Sequence, residues 1–214
     1  MPIFKTKRLW KFGLLLFVPL ALYFYIAERN SWRPKTIVTM NGLEARFVKF
    51  SPDGRYLAVE TRNSEGGVTP WGDLYIYDVS ARTIVCKFSE TNFLAFLHPL
   101  STFETNRISV SENRKAQTNV YTLPTLNLVQ TRLGRAYRNG LSTSKTEAHS
   151  LDDTLRAALD VKPSVIKLYH GKAAEPFREI NTTGSPVNSL DFSPDGRTLA
   201  SAHWDGTVKL WRVK

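Results

Sequence analysis

The chain has 214 residues, 42% of them hydrophobic and 22% charged, with a formal charge of +10 at pH 7. That balance excludes a disordered chain and provides for one globular domain of about 180 residues plus an appendage. The single cysteine, Cys86, excludes an internal disulfide framework.

The charge is unevenly placed. Residues 1 to 35 hold seven lysines and arginines against Glu28 alone, so +6 of the +10 lies there. Those charges flank residues 12 to 27, which are uncharged, or residues 9 to 27 if Lys11 reaches back to the headgroups. As a helix this segment is roughly 24 to 28 Å long, slightly short of a bilayer's hydrocarbon core of about 30 Å. Tyr23, Phe24, Tyr25 and Ile26 occupy the place where a cleavable signal peptide carries small residues. The segment is therefore read as an uncleaved signal anchor, with a cleaved signal peptide or a buried core helix as the alternatives. Four basic residues precede it and three follow, a bias that favours a cytoplasmic N-terminus and an exported domain.

From residue 36 the pattern is that of short strands. Residues 36 to 40 form one without an evident partner. Residues 50 to 55 read Phe-Ser-Pro-Asp-Gly-Arg, and the same six letters return at 192 to 197. Each copy has turn chemistry: Ser51 and Ser193 open the turn, Pro52 and Pro194 pre-set φ, Asp53 and Asp195 follow, and Gly54 and Gly196 take the positive φ that leads into the return strand. Between the copies, the aromatic closing the third strand recurs as Tyr77, Tyr121, Tyr169 and Trp211, at spacings of 44, 48 and 42 residues. The turn after the first strand recurs at Ser51, His98, Ser150 and Ser193, spaced 47, 52 and 43. Both markers give four units of about four strands, the size of a propeller blade. A β-sandwich also alternates short strands and turns, but it does not explain the twin turns.

The stretch Thr198-Leu199-Ala200-Ser201-Ala202-His203-Trp204-Asp205-Gly206-Thr207-Val208-Lys209-Leu210-Trp211 resembles the WD-repeat (Trp-Asp repeat) family. The resemblance is clear over 43 to 80 and 187 to 213 and degenerate between. It implies an all-β fold: a small β-propeller of about four four-stranded blades, closed by pairing the N-terminal strand onto the three strands at the C-terminal end. A two-chain ring of eight blades and a relic of a longer parent are alternatives. The domains are then 1–35, carrying the anchor and a short linker, and 36–214, the propeller.

The family's buried His before the first strand is absent, with Gly184-Ser185 and Asn41-Gly42 in its place. Asp205 matches the Asp that this His serves, and Asp73 is expected to match it in the first repeat. Asp53, Gly54, Asp73, Asp195, Gly196 and Asp205 are thus expected to be structural. Asp152-Asp153 is read as a turn aligned with Pro194-Asp195 and not as a catalytic carboxylate pair.

No nucleophile elbow, His-Glu-x-x-His helix, paired cysteine or phosphate-binding loop occurs in the sequence. No cofactor, metal or catalytic residue is assigned. The features with functional promise are Trp, Tyr and Arg residues in loops, the types enriched at binding hot spots. Relative to the last repeat the first carries an eight-residue insertion within 62 to 71, ending in Trp71. The resemblance puts that loop on one face with Trp204, beside the loops that carry Arg46 and Arg135, Tyr137 and Arg138. The expected contact residues are Arg46, Arg62, Glu65, Trp71, Arg135, Tyr137, Arg138, His203 and Trp204. The Arg132, Arg135, Arg138 spacing has no interleaved aromatic platform, so nucleic acid is not the expected partner. The expected function is a membrane-anchored, non-enzymatic interaction or scaffold module that binds protein partners. The alternative is an exported propeller enzyme with a metal or redox cofactor in its central channel.

Overall fold

The computed structural model describes residues 35–39, 43–63, 72–89, 92–97, 102–108, 115–123, 125–135, 146–160, 164–182 and 184–214, all within one compact unit, Lys35–Lys214. The proposed anchor at 9 to 27 lies outside them. Among the described residues every regular element is a strand, and none is a helix long and apolar enough to cross a membrane.

Strand β1 is Lys35–Thr39. Then come β2 (Leu43–Phe50), β3 (Tyr56–Asn63), β4 (Leu74–Asp78) and β5 (Thr83–Phe88), paired in chain order as the first antiparallel sheet. The second sheet is β6 (Asn92–Leu97), β7 (Thr102–Ile108), β8 (Lys115–Thr122) and β9 (Leu128–Arg135). The third is β10 (Glu147–His149), β11 (Leu155–Leu159), β12 (Val165–His170) and β13 (Arg178–Asn181). The last contains β14 (Val187–Phe192), β15 (Thr198–His203) and β16 (Thr207–Arg212), with β1 as its fourth strand in the order β1-β16-β15-β14. Four sheets of four strands, three built from neighbouring hairpins and the last completed by β1, resemble a β-propeller. The pairing of Lys35 with Leu210 and Thr39 with Thr207 covers an edge that β16 would otherwise leave open.

The four third-strand aromatics fall on β4, β8, β12 and β16. Phe50, Leu57, Val59 and Tyr77 of the first sheet pack with Ala200, Ala202 and Val208 of the last. On its other side, Phe47, Tyr56, Ala58, Leu74 and Ile76 pack with Leu123, which follows β8. The edge strand β14 is buried along its whole length, polar positions included. Its Asp191 is held from the first sheet: Phe50 N donates at 2.8 Å and Lys49 Nζ at 2.7 Å. A buried carboxylate with a paired ammonium and a backbone donor costs little of the penalty that an isolated charge would carry.

At one end of the sheets, here the turn end, three Ser-x-Asp turns repeat one geometry. Ser51, Ser193 and Ser150 donate to Asp53, Asp195 and Asp152 at 2.5, 2.5 and 2.6 Å. Each serine oxygen also accepts, at 2.9 Å, from the backbone N–H of Tyr56, Thr198 or Leu155. The positive φ falls on Gly54 (72°), Gly196 (65°) and Asp153 (53°). This corrects the alignment of the third turn by one residue: Asp152-Asp153 matches Asp195-Gly196, because Asp, like Gly, tolerates the left-handed region. The turns also abut one another. A Cβ on Gly54 would lie 3.3 Å from Pro194 Cδ, and one on Gly196 would lie 3.5 Å from Ser150 Cβ.

Candidate functional site

The opposite end, the loop end, carries the hairpins that join second strands to third strands and the starts of β2 and β14. Strands β2 and β14 are both bulged there, between Ala45 and Phe47 and between Val187 and Ser189. Each bulge adds a residue that the ladder leaves unpaired, Arg46 in β2 and Asn188 in β14. Asn188 connects the two sheets. Its Nδ2 donates to Glu44 Oε1 at 3.0 Å and to the Ala45 carbonyl at 2.9 Å, while its Oδ1 accepts from Trp204 Nε1. Trp204 is therefore fixed through its indole N–H while remaining 59% exposed. Glu44 lies directly opposite Arg62, an exposed residue near the end of β3. One anchored aromatic face, a partly buried Arg46 and the Glu44–Arg62 cross-strand pair thus share an edge that spans two sheets.

Beneath Trp204 lies a closed polar network. Trp211 Nε1 donates to Ser201 Oγ at 2.8 Å, and Ser201 Oγ is 2.8 Å from His203 Nε2. The Ser185 carbonyl, 3.4 Å from Nδ1, can only accept, which puts the imidazole proton on Nδ1 and leaves Nε2 to accept the Ser201 proton. Burial, with Lys209 nearby, pushes the imidazole down to about 4, so it is neutral at pH 7. Lys209 itself donates to the Thr182 carbonyl at 3.0 Å.

The structure removes His203 from the expected contact residues. It is 0% exposed and wholly engaged in the core. Its imidazole, carried on β15, stands beside Ser185, where the family's motif has its own His. Asp205 is structural as read from the sequence: its Oδ1 accepts from Thr207 N at 3.0 Å and Thr207 Oγ1 at 2.6 Å, and its own N–H donates to Ser185 Oγ at 3.1 Å. Asp73 does not match it. The pairs Glu60–Leu74 and Ala202–Val208 align Asp73 with Thr207. The Asp73 carboxylate instead pairs with Lys87 Nζ at 2.8 Å and accepts from Tyr75 Oη at 3.3 Å.

Of the other expected contact residues, Arg46 is the extra residue of the β2 bulge, Arg62 lies opposite Glu44, and Trp204 is linked to Glu44 through Asn188. Arg135 ends β9 opposite Lys115, in another sheet. Glu65, Trp71, Tyr137 and Arg138 lie outside the described residues. Asn188 and Glu44 were missed: 144 residues separate them, and nothing local in either strand marks the contact. Among the described residues no group of three or more His, Cys, Asp or Glu is placed to hold a metal ion. Cys86 is half-buried, and burial raises its thiol to about 11, which keeps it from acting as a thiolate at neutral pH.

Residues 175–212 match the family model for the WD domain, G-beta repeat, so this stretch is a WD-type repeat. Among solved structures, the chain is similar to the β-propeller domain of Cps50 (Swd1) from Myceliophteria thermophila, at 16% identity and a TM-score of 0.30. The match covers 81% of this chain and 55% of that one, so the chain spans about half the length of the domain it matches. No curated protein matches the sequence.

Proposed function

We propose that the chain is a membrane-anchored, non-enzymatic propeller of four blades that binds protein partners through its loop end. The observation that carries this reading is Trp204, a large aromatic held in one orientation by Asn188 yet open to solvent, beside the Glu44–Arg62 pair. An aromatic fixed before binding loses little side-chain entropy on contact, and a flanking rim of charges gives selectivity. Propellers of the WD type generally act by binding proteins, and the sequence carries no motif that arranges residues for catalysis.

Ring closure through β1, in a monomer, is part of the same proposal, and is supported by the pairing of β1 with β16. So is an anchor at 9 to 27 that exports the domain, supported by its apolar length and the basic residues before it.

Photo-crosslinking tests the interaction reading. A photoreactive residue at Arg62, on the full chain in its native membrane, should give a discrete adduct that Trp204→Ala abolishes, while the same probe at Lys172, at the turn end, should not give that adduct. Equal adducts at both positions, or an adduct indifferent to Trp204, would refute a loop-end site.

A further inference from the structure

In the first sheet, the arginine of the Ser-Pro-Asp-Gly-Arg turn is neutralised by the residue after the third-strand aromatic: Arg55 Nε lies 3.2 Å from Asp78 Oδ2. The last sheet repeats this geometry with the charge reversed. Tyr56 pairs with Asp78, and its counterpart Thr198 pairs with Arg212. Val79 N donates to the Arg55 carbonyl and Val213 N to the Arg197 carbonyl, both matching. Arg212 therefore stands where Asp78 does in the first sheet, with its Nε donating to the Lys214 carbonyl at 3.1 Å.

Two more cations join them. Lys214 Nζ lies 3.4 Å from where a Gly196 Cβ would be, so its ammonium covers the turn that Arg197 follows. Lys35 pairs with Leu210, which puts it at the same end of the sheet, one strand out from β16. The acids near this group are Asp195, already held by Ser193, and Asp152 of the neighbouring sheet, 3.5 Å from Lys214 Nζ. Four cationic side chains against two acidic ones contrast with the first sheet's turn end, where Arg55 and Arg82 are balanced by Asp53 and Asp78. Arg197, Arg212, Lys214 and Lys35 are all exposed. From Lys35 the chain runs directly back through Arg33 and Arg29 to the apolar segment at 9 to 27.

We infer that the turn end of the last sheet, through Arg197, Arg212, Lys214 and Lys35, binds anionic lipid headgroups of the bilayer that holds the N-terminal segment. The inference rests on the anchor proposed above and adds the surface and lipid class. The seven residues 28 to 34 between the apolar segment and Lys35 have a fully extended length of about 25 Å at most. Clustered Lys and Arg near an anionic surface are attracted to it, and salt weakens that attraction.

The test uses the full chain reconstituted with vesicles of phosphatidylcholine alone, or of two parts phosphatidylcholine to one part phosphatidylglycerol. The readout is energy transfer from a fluorophore at Lys172→Cys, at the turn end of the third sheet, in a Cys86→Ser background, to headgroup-labelled lipid. Transfer should be higher in the anionic vesicles, fall with high salt, and fall to the neutral-lipid level in Arg197→Gln/Arg212→Gln. Removing two charges should lower the preference for the lipid-apposed position by roughly 30-fold.

Resistance to alkaline extraction reports the anchor separately. A chain that inserts equally in both vesicles, with transfer indifferent to lipid charge and to the double substitution, overturns the headgroup site and leaves the anchor intact. A chain that is extracted from both but still binds anionic vesicles through Arg197 and Arg212 supports the site and refutes the anchor. No binding to either overturns both.

Discussion

Acidification from about pH 7 to about pH 4 should weaken the fold through one residue, His203. Its imidazole is fully buried, accepts the Ser201 proton at Nε2, and is held neutral with a pKa lowered from 6.5 to about 4. Between those values the unfolded chain binds a proton that the folded chain refuses, so stability rises with pH across the window. The contribution is complete above about pH 6.5 and is lost progressively as pH falls through about 4. At about 1.4 kcal/mol per pH unit, that gap corresponds to about 3 kcal/mol, a large share of the 5 to 15 kcal/mol or so of a typical domain. Urea unfolding at a series of pH values, for the protein and for His203→Gln, isolates the effect, because the other histidines and the carboxylates titrate in both. The difference between the two should shrink by about 3 kcal/mol on going from about pH 7 to about pH 4. Parallel pH profiles would show that His203 is not buried as a neutral acceptor.

Gly54→Ala should cost about 1–2 kcal/mol, from its left-handed backbone and the close Pro194 ring, read as a lower unfolding midpoint. Gly72→Ala should cost more, above about 3 kcal/mol, because its Cβ would fall 1.3 Å from the Thr61 carbonyl oxygen and the start of β4 would have to move. If the two glycines rank the other way, the approach of residue 72 to β3 is wrong. Asp78 is lowered to about 2 chiefly by the Ala81 N–H, then by Ser80 and Arg55. Asp78→Asn should therefore destabilise at neutral pH, and the deficit should vanish as pH falls from about 4 towards about 2; a deficit that persists at the acid end would assign it to the turn's shape and not to the charge. Trp204→Ala should leave the unfolding midpoint nearly unchanged, since the indole is mostly in water, while removing partner contact.

The parts of the fold that the sequence made legible are those specified locally. Ser51 to Gly54 and Ser193 to Gly196 encode their turns in adjacent residues, and the aromatics closing the third strands recur every 42 to 48 residues. Where local identity decays, registers slip. Asp153 takes the left-handed backbone of a glycine without being one, which shifted the alignment of the third turn by a residue. The insertion before Asp73 similarly obscured its equivalence to Thr207.

The polar network was only half legible for a different reason. Asp205 could be placed by its own turn, but the missing motif His is compensated through space by His203, from a strand position that periodicity reads as a loop start. Trp204 was identifiable as an exposed aromatic. Its partner Asn188 and the link to Glu44 depend on how two sheets distant in sequence are packed, which no short-range pattern encodes.

Hydrogen exchange over residues 35 to 39 tests whether one sheet is assembled from both ends of Lys35–Lys214. The amides that β1 shares with β16 should be protected well beyond free-peptide rates, and deleting residues 35 to 39 should expose 207 to 212 to faster exchange and lower the unfolding midpoint of the whole unit. Exchange of 35 to 39 at free-peptide rates, with 207 to 212 unchanged by the deletion, would contradict it.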